Sequence, residues 1–357
     1  MKRHYAPRPW ALAILLIAPI PALAAEEPAL RVKLEDPAPA EKNRFGMSYK
    51  MSFNITAEFR NVGNIGTPGA GRGRGPATGG GIDRFYDDGY NRVDSSGNRD
   101  GLTWFWGYEN AGQIVGDTLA MHSTSVAPIS SKTIDGDPQS GLELTYGREL
   151  GRLEKHNAGW GLEAALGWTY IDIADDRPLA GGVRTITDTY DLGGVIPPPA
   201  PYNGTFQGPG PLIDDAPARA IVSSARGAVV TGERHFEADL FAFRLGPYID
   251  CPIDENWMFS ISAGPAVGIV DGEFRFRQTV KTDTGRRFQS GSGSETDIVF
   301  GGYLSGTIHW AINEQWGLFI GGHYTALTSY EVKAGEQKAE IRFARVASAT
   351  FGVTFSF

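Results

Sequence analysis

From Phe45 onward the chain alternates. Phe45, Met47, Tyr49, Met51, Phe53, Ile55, Ala57 and Phe59 are apolar, while Gly46, Ser48, Lys50, Ser52, Asn54, Thr56, Glu58 and Arg60 between them are small or polar. A period of two puts the first set on one face of a strand and the second on the other. Strands in soluble sheets run about 5–6 residues, so this alternation predicts a longer, two-sided strand. The pattern returns in Leu142, Leu144 and Tyr146; in Trp160, Leu162, Ala164, Leu166, Trp168 and Tyr170; and in Phe241, Phe243 and Leu245. It returns again in 257–269, 298–312 and 316–324, and last in 339–357, which ends Ala349, Phe351, Val353, Phe355, Phe357. Eight long amphipathic strands are predicted, and no helical period competes with them.

The connections differ in length. Short turns are expected at 151–157, 252–256 and 313–315, and mostly long loops at 61–138, 173–234, 273–294 and 331–338. Short turns at one end and long loops at the other are the anatomy of an outer-membrane barrel. The predicted fold is therefore all-β, an antiparallel transmembrane β-barrel of eight strands. Ten to twelve is the alternative count, since LTWFWGY and DTLAMHSTS in the first loop have Thr and aromatic content suited to a further hairpin in the wall. A tilted strand crosses a bilayer in about 9–11 residues, and Trp316–Tyr324 and Ala349–Phe357 are both of that length. Pro247 and Pro265 each follow a glycine inside a predicted strand. Since proline cannot donate to the ladder, a bulge is expected at each.

Two turns nearly repeat, Ile253-Asp-Glu-Asn-Trp257 and Ile312-Asn-Glu-Gln-Trp316. Both place Trp first in the new strand, as does Trp160 after its turn. Indole favours the membrane–water boundary, so Trp160, Trp257, Trp310, Trp316 and Phe357 are expected to form an aromatic girdle at the periplasmic end. By parity Lys50, Glu58, Glu143, Glu163, Arg244, His309, His323 and Arg342 point inward. An eight-stranded interior is just filled by side chains, so these charges are expected to pair and plug the lumen. Arg345 shares the parity of Phe351, and is expected above the apolar band, against lipid phosphates.

Composition supplies the address. Residues 1–24 run from basic (Lys2, Arg3, Arg8) through an apolar stretch to Ala22-Leu23-Ala24, the form of a secretory signal cleaved after Ala24. Residues 25–43 read as a flexible periplasmic leader rich in Pro, Ala and charge, and 44–357 as the barrel. The whole chain carries a net charge of −8, and −11 once the three basic signal residues are gone. Nothing basic enough for nucleic acid remains. Cys251 is alone, so no internal disulfide is expected. No cofactor or metal is expected either. The Gly-Arg run GTPGAGRGRGPATGGG lacks the Lys-Ser/Thr of a phosphate loop. DSSGNRDG has Arg99 where a calcium loop needs Gly and Phe105 where it needs Glu. DLGGVIPPPAPYNGTFQGPGPLIDD is too rich in Pro and Gly for regular structure.

With these features the sequence resembles the small outer-membrane barrels of the OmpA, OmpX and opacity-protein kind. The resemblance covers the signal, the alternating strands, the short turns and the closing strand. It implies that Phe351, Val353, Phe355 and Phe357 form the C-terminal signal read by the barrel-assembly machinery. The chain departs from that class in its very long loops and in lacking a peptidoglycan-binding domain after the barrel. The function expected is structural or surface-interacting, through those loops, with outer-membrane lipid, lipopolysaccharide and an extracellular ligand or surface as partners. A narrow porin-like channel is the alternative. A lipid-modifying enzyme is the second, for which the nearest Ser/Thr–His pair is His323 with Thr325, backed by Glu163 or Glu331. Without a nucleophile motif, no enzyme activity is expected.

Overall fold

A computed structural model describes residues 43–66, 82–93, 100–136, 138–153 and 157–357. The expected signal 1–24, the expected leader up to residue 42, nearly all of the Gly-Arg run and most of DSSGNRDG lie outside the described residues. Eight antiparallel strands form the wall: β1 Asn43–Phe53, β2 Gln139–Leu153, β3 Ala158–Asp175, β4 Ala218–Pro252, β5 Trp257–Thr282, β6 Gly285–Ala311, β7 Trp316–Leu327 and β8 Val346–Ser356. Each pairs with the next, and β1 pairs with β8, so the sheet closes on itself. The seam reaches the last residue. Asn43 and Phe357 exchange both main-chain hydrogen bonds at 3.0 Å, and closure leaves the wall without an edge.

The two faces separate as a period of two requires. Outward lie large exposed apolar side chains such as Leu166, Phe243, Ile269, Phe300, Ile320 and Phe351, and inward lie buried Ser48, Lys50, Glu143, Thr169, Arg244, Ser260 and Thr350. An apolar exterior on a closed barrel is a lipid-facing wall. Its upper limit on one side is sharp. The row Trp168–Phe241–Ile269–Ile298 is followed by Tyr170–Asp239–Asp271–Thr296 and then by Asp172–Glu237–Glu273. Trp168 marks the boundary by donating its indole N–H to Asp239 Oδ1 at 2.8 Å. No helix among the described residues is long and apolar enough to cross a membrane, which says nothing against crossing by strands.

The repeated turns have one design. Asp254 Oδ1 accepts the N–H groups of Asn256 and Trp257, both at 2.8 Å. Asn313 Oδ1 accepts those of Gln315 and Trp316 at 2.9 and 2.7 Å. An Asx side chain thus closes each turn on the tryptophan that opens the next strand. Trp257 then faces Trp310 across the β5–β6 pair, with ring centroids 6.0 Å apart, and Trp316 stands beside Phe355. Trp160 is the third residue of β3, at the same end, so here the tryptophan does not come first in the strand.

Several expectations are corrected. The first alternation is not one strand. Asn54 adopts φ +64°, and beyond this kink the residues of odd parity turn inward, so Ile55, Ala57 and Phe59 are buried instead of facing lipid. Thr56–Arg60 joins a separate four-stranded sheet with Tyr330–Ala334, Gln337–Arg342 and Ile134–Asp135. The last alternation breaks likewise, and β8 begins only at Val346. The stretch 273–294 is not a loop but the continuation of β5 and β6, turning at 283–284. LTWFWGY and DTLAMHSTS supply strands Phe105–Tyr108 and Thr118–Val126, but neither belongs to the ring of eight. At the Gly-Pro pairs no residue is inserted. The β4–β5 ladder lapses between Arg244↔Ala266 and Tyr248↔Ser262 and resumes in the same register. Here the backbones approach so closely that a Cβ on Gly246 would lie 2.1 Å from the carbonyl oxygen of Ala263, a spacing only glycine allows.

Above the lipid-facing band β4, β5 and β6 continue as a tall curved sheet. The four-stranded sheet covers its inner face, burying Ile55, Phe59, Val332, Ile341 and Phe343 against Phe236, Val270, Phe274 and Val280. The upper half of the molecule therefore has an ordinary hydrophobic core, whereas the lower half has a polar lumen. A strand Leu179–Asp191 pairs with the outer end of β4, and Thr118–Val126 pairs with Leu179–Asp191, which extends this sheet upward.

Candidate functional site

The residues expected in the lumen divide into two groups. Six lie in the ring. Arg244 donates to Glu143 at 2.6 Å, with both side chains 5% exposed, and lies 4.7 Å over the ring of Tyr303. Glu143 and Arg244 are the charges facing buried Lys50. Glu163 accepts a hydrogen bond from Ser262 at 3.2 Å and has Arg44 at 4.0 Å. Arg44 itself pairs with Asp250 at 2.9 Å. His309 lies beside Phe319, and His323 is 7% exposed between the walls. Arg44, Lys50 and Arg244 thus meet Glu143, Glu163 and Asp250 across the lumen. Desolvated charges are tolerable only when paired.

Glu58 and Arg342 are corrected. Both lie beyond the kinks that end β1 and precede β8, on the polar face of the four-stranded sheet whose other face is core. There Arg342 binds Glu58 at 2.5 Å and Glu340 at 3.0 Å, and Arg60 reaches Glu340 at 2.5 Å. They are surface ion pairs, not lumen charges. The hydrolase candidate is not assembled either. The charges reaching His323 are Arg244 and Lys50, Glu163 is engaged by Ser262 and Arg44, and Glu331 pairs with Lys338 at 3.0 Å on the outer sheet.

The long loops fold into a cap. Trp104, Trp106 and Tyr108 alternate along one face of their strand and donate to the Pro-Gly segment: Trp106 to the carbonyl of Pro211 at 2.8 Å, Trp104 to that of Phe206 at 3.3 Å, and Tyr108 to that of Pro198. The chemistry is complementary. A proline-rich segment offers carbonyl acceptors but few N–H donors, and indole and phenol supply the donors. Beneath them Asp188, fully buried, accepts two hydrogen bonds from Arg219 at 2.7 Å and one from Tyr86 at 2.5 Å. Burial alone would push the Asp188 carboxyl up, but the hydrogen bonds from Arg219 and Tyr86 outweigh it and hold the group below the usual carboxylate range.

Where this cap meets the tip of the β5–β6 hairpin lies a cleft of about 590 Å³. Several segments converge on it, among them Asp87 and Asp88, Glu109 to Gln113, His122 and Thr124, and the hairpin residues Thr282, Thr284, Arg286 and Arg287. Asp88 clamps His122 twice, taking the backbone N–H on Oδ1 and facing ring Nδ1 with Oδ2, both at 2.7 Å. A carboxylate facing Nδ1 fixes the orientation of the ring. Asp87 accepts the N–H of Thr124 at 2.6 Å and pairs with Arg287. The hydroxyls of Thr124, Thr284 and Thr282 form a chain with steps of 3.1 and 3.0 Å. Gln113 secures the rim by donating to the carbonyls of Asp88 and Ala120 at 3.1 Å while accepting the N–H groups of Glu109 and Asn110. An oriented imidazole, hydroxyls, acids and arginines share one opening, an arrangement suited to binding a polar ligand and to moving a proton on it.

Sequence reading missed this cleft. Asp88 and His122 are 34 positions apart, in a loop with no motif to connect them. The doublet Asp87-Asp88 beside a turn glycine was the one local signal.

No family model matches the chain, and no curated protein matches it. Solved structures do. The attachment invasion locus protein Ail of Yersinia pestis aligns over 89% of this chain and 99% of its own in complex with the heparin analogue sucrose octasulfate, at 9% identity and TM-score 0.30. Ail alone aligns over 88% and 98%, with the same identity and score. The outer membrane protease OmpT of Escherichia coli aligns over 89% and 97%, at 8% identity and TM-score 0.34. The expectation that the chain has no enzyme activity is corrected here. One of these similar structures is an outer membrane protease. Likeness at this distance extends to the fold alone. The closed wall, the lipid-facing band and the asymmetry of turns and loops make the chain an integral outer-membrane β-barrel.

Proposed function

We propose that this protein is a surface-interaction barrel, in which the wall anchors a built extracellular platform and the Asp88–His122 cleft holds a polar extracellular ligand. The observation that carries this reading is the cleft itself, where separate segments converge around a histidine fixed by two hydrogen bonds. The paired charges of the lumen, Arg244 with Glu143 above all, favour this role over the narrow channel. Trp160, Trp257, Trp310, Trp316 and Phe357 then serve as the aromatic girdle at the periplasmic boundary. Phe351, Val353, Phe355 and Phe357 serve as the signal for the barrel-assembly machinery, and lipopolysaccharide surrounds the upper wall. Residues 1–24 are removed on export.

The test is adherence. Cells displaying the full chain, its His122→Ala variant or no chain are compared on epithelial monolayers and on immobilised heparin, with surface level measured in parallel. The full chain should raise adherence several-fold, and His122→Ala should lose most of the gain at unchanged surface level. Equal adherence by cells lacking the chain would defeat the reading.

A further inference from the structure

The outer end of β4 has one open edge. Ala218–Ser224 pair with Val183–Thr189 on one side. On the other, β5 begins to pair only at Ala228, opposite Thr282. Ala218–Arg226 are exposed throughout, with Ile221 and Val222 at 50% and 68%. Among the described residues no strand pairs with this edge.

The direction of its main-chain groups follows from the ladder. Val126 exchanges both hydrogen bonds with Ile65, so its N–H and C=O face away from Leu179–Asp191. Its cross-strand partner Val183 therefore directs its own groups toward β4, as a non-hydrogen-bonded antiparallel pair must. Alternation carries this along. Val183, Thr185 and Thr187 bond Ser224, Val222 and Ala220, and Arg219, Ile221 and Ser223 direct N–H and C=O into open space. An edge of this kind is a template for another strand unless it is blunted. Ala218–Ser224 contains no proline and no lysine, and the register shift to Leu179–Asp191 comes only after it, between Ser224 and Ala228.

We propose that this edge takes up an extended, net-acidic peptide segment of a partner protein by strand addition. The incoming strand occupies the column that β5 leaves at Thr282. There Arg226, Lys281 and Arg286 are all exposed and outnumber Asp283 at the hairpin tip. Arg219 is already held by Asp188. A second copy is a poorer occupant. Related by an axis along the membrane normal, it would bring up the same strand in parallel, with Arg226 toward Arg226, and like charges on neighbouring strands repel.

The inference rests on the reading that this end lies outside the cell and binds there. The experiment uses the full chain in detergent micelles and a fluorescent nine-residue peptide alternating Thr and Glu. Ser223→Pro removes one donor from the open edge and leaves the ladder to Leu179–Asp191 intact, since edge strands accept proline. The peptide should bind, and Ser223→Pro should weaken it at least tenfold while heat-modifiable migration stays unchanged. Lys in place of Glu should weaken it comparably. If Ser223→Pro does not fold, N-methylating alternate peptide residues on the wild-type chain gives the same contrast, because one of the two methylated registers must fail. Equal binding by Ser223→Pro or by both methylated registers, or equal binding by the Lys peptide, overturns the proposal. Dimerisation that Ser223→Pro abolishes, with no peptide binding, overturns it in favour of a second copy. An epitope tag between Gly193 and Gly194, probed on intact cells, separates the two failures. An inaccessible tag defeats the extracellular reading, whereas an accessible tag without peptide binding defeats only the edge.

Discussion

Asp188 shows how one residue governs the cap. It is a buried acid whose charge is compensated by Arg219 and Tyr86. Arg219→Ala leaves that carboxylate buried with its main partner gone, and should cost about 1–3 kcal/mol, the range for a buried acceptor left without its donor. Urea titration followed by the fluorescence of Trp104 and Trp106 measures this, because both indoles report on the cap. The pH dependence has a definite sign. The carboxyl lies below its ordinary value in the folded cap, so the folded state binds fewer protons there than the unfolded chain. Its contribution is present above about pH 4, the unfolded carboxylate value, and is lost as pH falls through the lower folded value. The same titration in acid should show the cap loosening below about pH 4, and Asp188→Asn should flatten that dependence. None of this was legible from sequence. Asp188 and Arg219 are 31 positions apart, in what reads as one long Pro- and Gly-rich loop, and only the pairing of Leu179–Asp191 with β4 brings them together.

At the scale of elements, alternation located the wall strands but not where they turn. Odd-numbered residues from Phe45 to Phe59 share a parity, and a period of two cannot report a kink. Asn54, one of the few residue types that enter positive φ readily, reverses the face, and so Glu58 leaves the lumen and Ile55 enters a core. Inside the wall the Arg244–Glu143 pair ties β2 to β4 over the inner face of β3. Arg244→Met alone should destabilise the barrel by about 3 kcal/mol, and the double variant Glu143→Leu with Arg244→Met should recover most of it, since two apolar groups need no compensation. Denaturant unfolding in detergent checks both. The closing strand makes another prediction. Deleting Phe357 removes both main-chain bonds to Asn43 and should impair insertion more than export. Periplasmic and outer-membrane fractions of cells measure this directly, and normal surface display of the deletion would contradict it.

As a whole the molecule has ion-paired charges inside the barrel below and a hydrophobic core above. Three cations and three carboxylates cross the lumen, and the upper half is filled by Phe59, Phe236, Phe274, Tyr330 and Phe343. Planar-bilayer recordings of the purified chain should therefore lack steady discrete conductance steps, and regular openings would return the channel reading to favour. The sample should migrate faster unheated than boiled on a detergent gel, as a closed wall resists unfolding in detergent.

The sequence by itself determined the wall. A period of two, Asx-Trp turns and a terminal aromatic are local signals, because which face of a strand meets lipid is decided residue by residue along the chain. Only the tertiary structure decided the rest. The sheet that the kink at Asn54 leads into, the pinning of the Pro-Gly segment by Trp104, Trp106 and Tyr108, the cleft around His122 and the open edge of β4 all depend on residues distant in sequence. Their contacts depend on how strands are paired in space, and no periodicity along one segment carries that information.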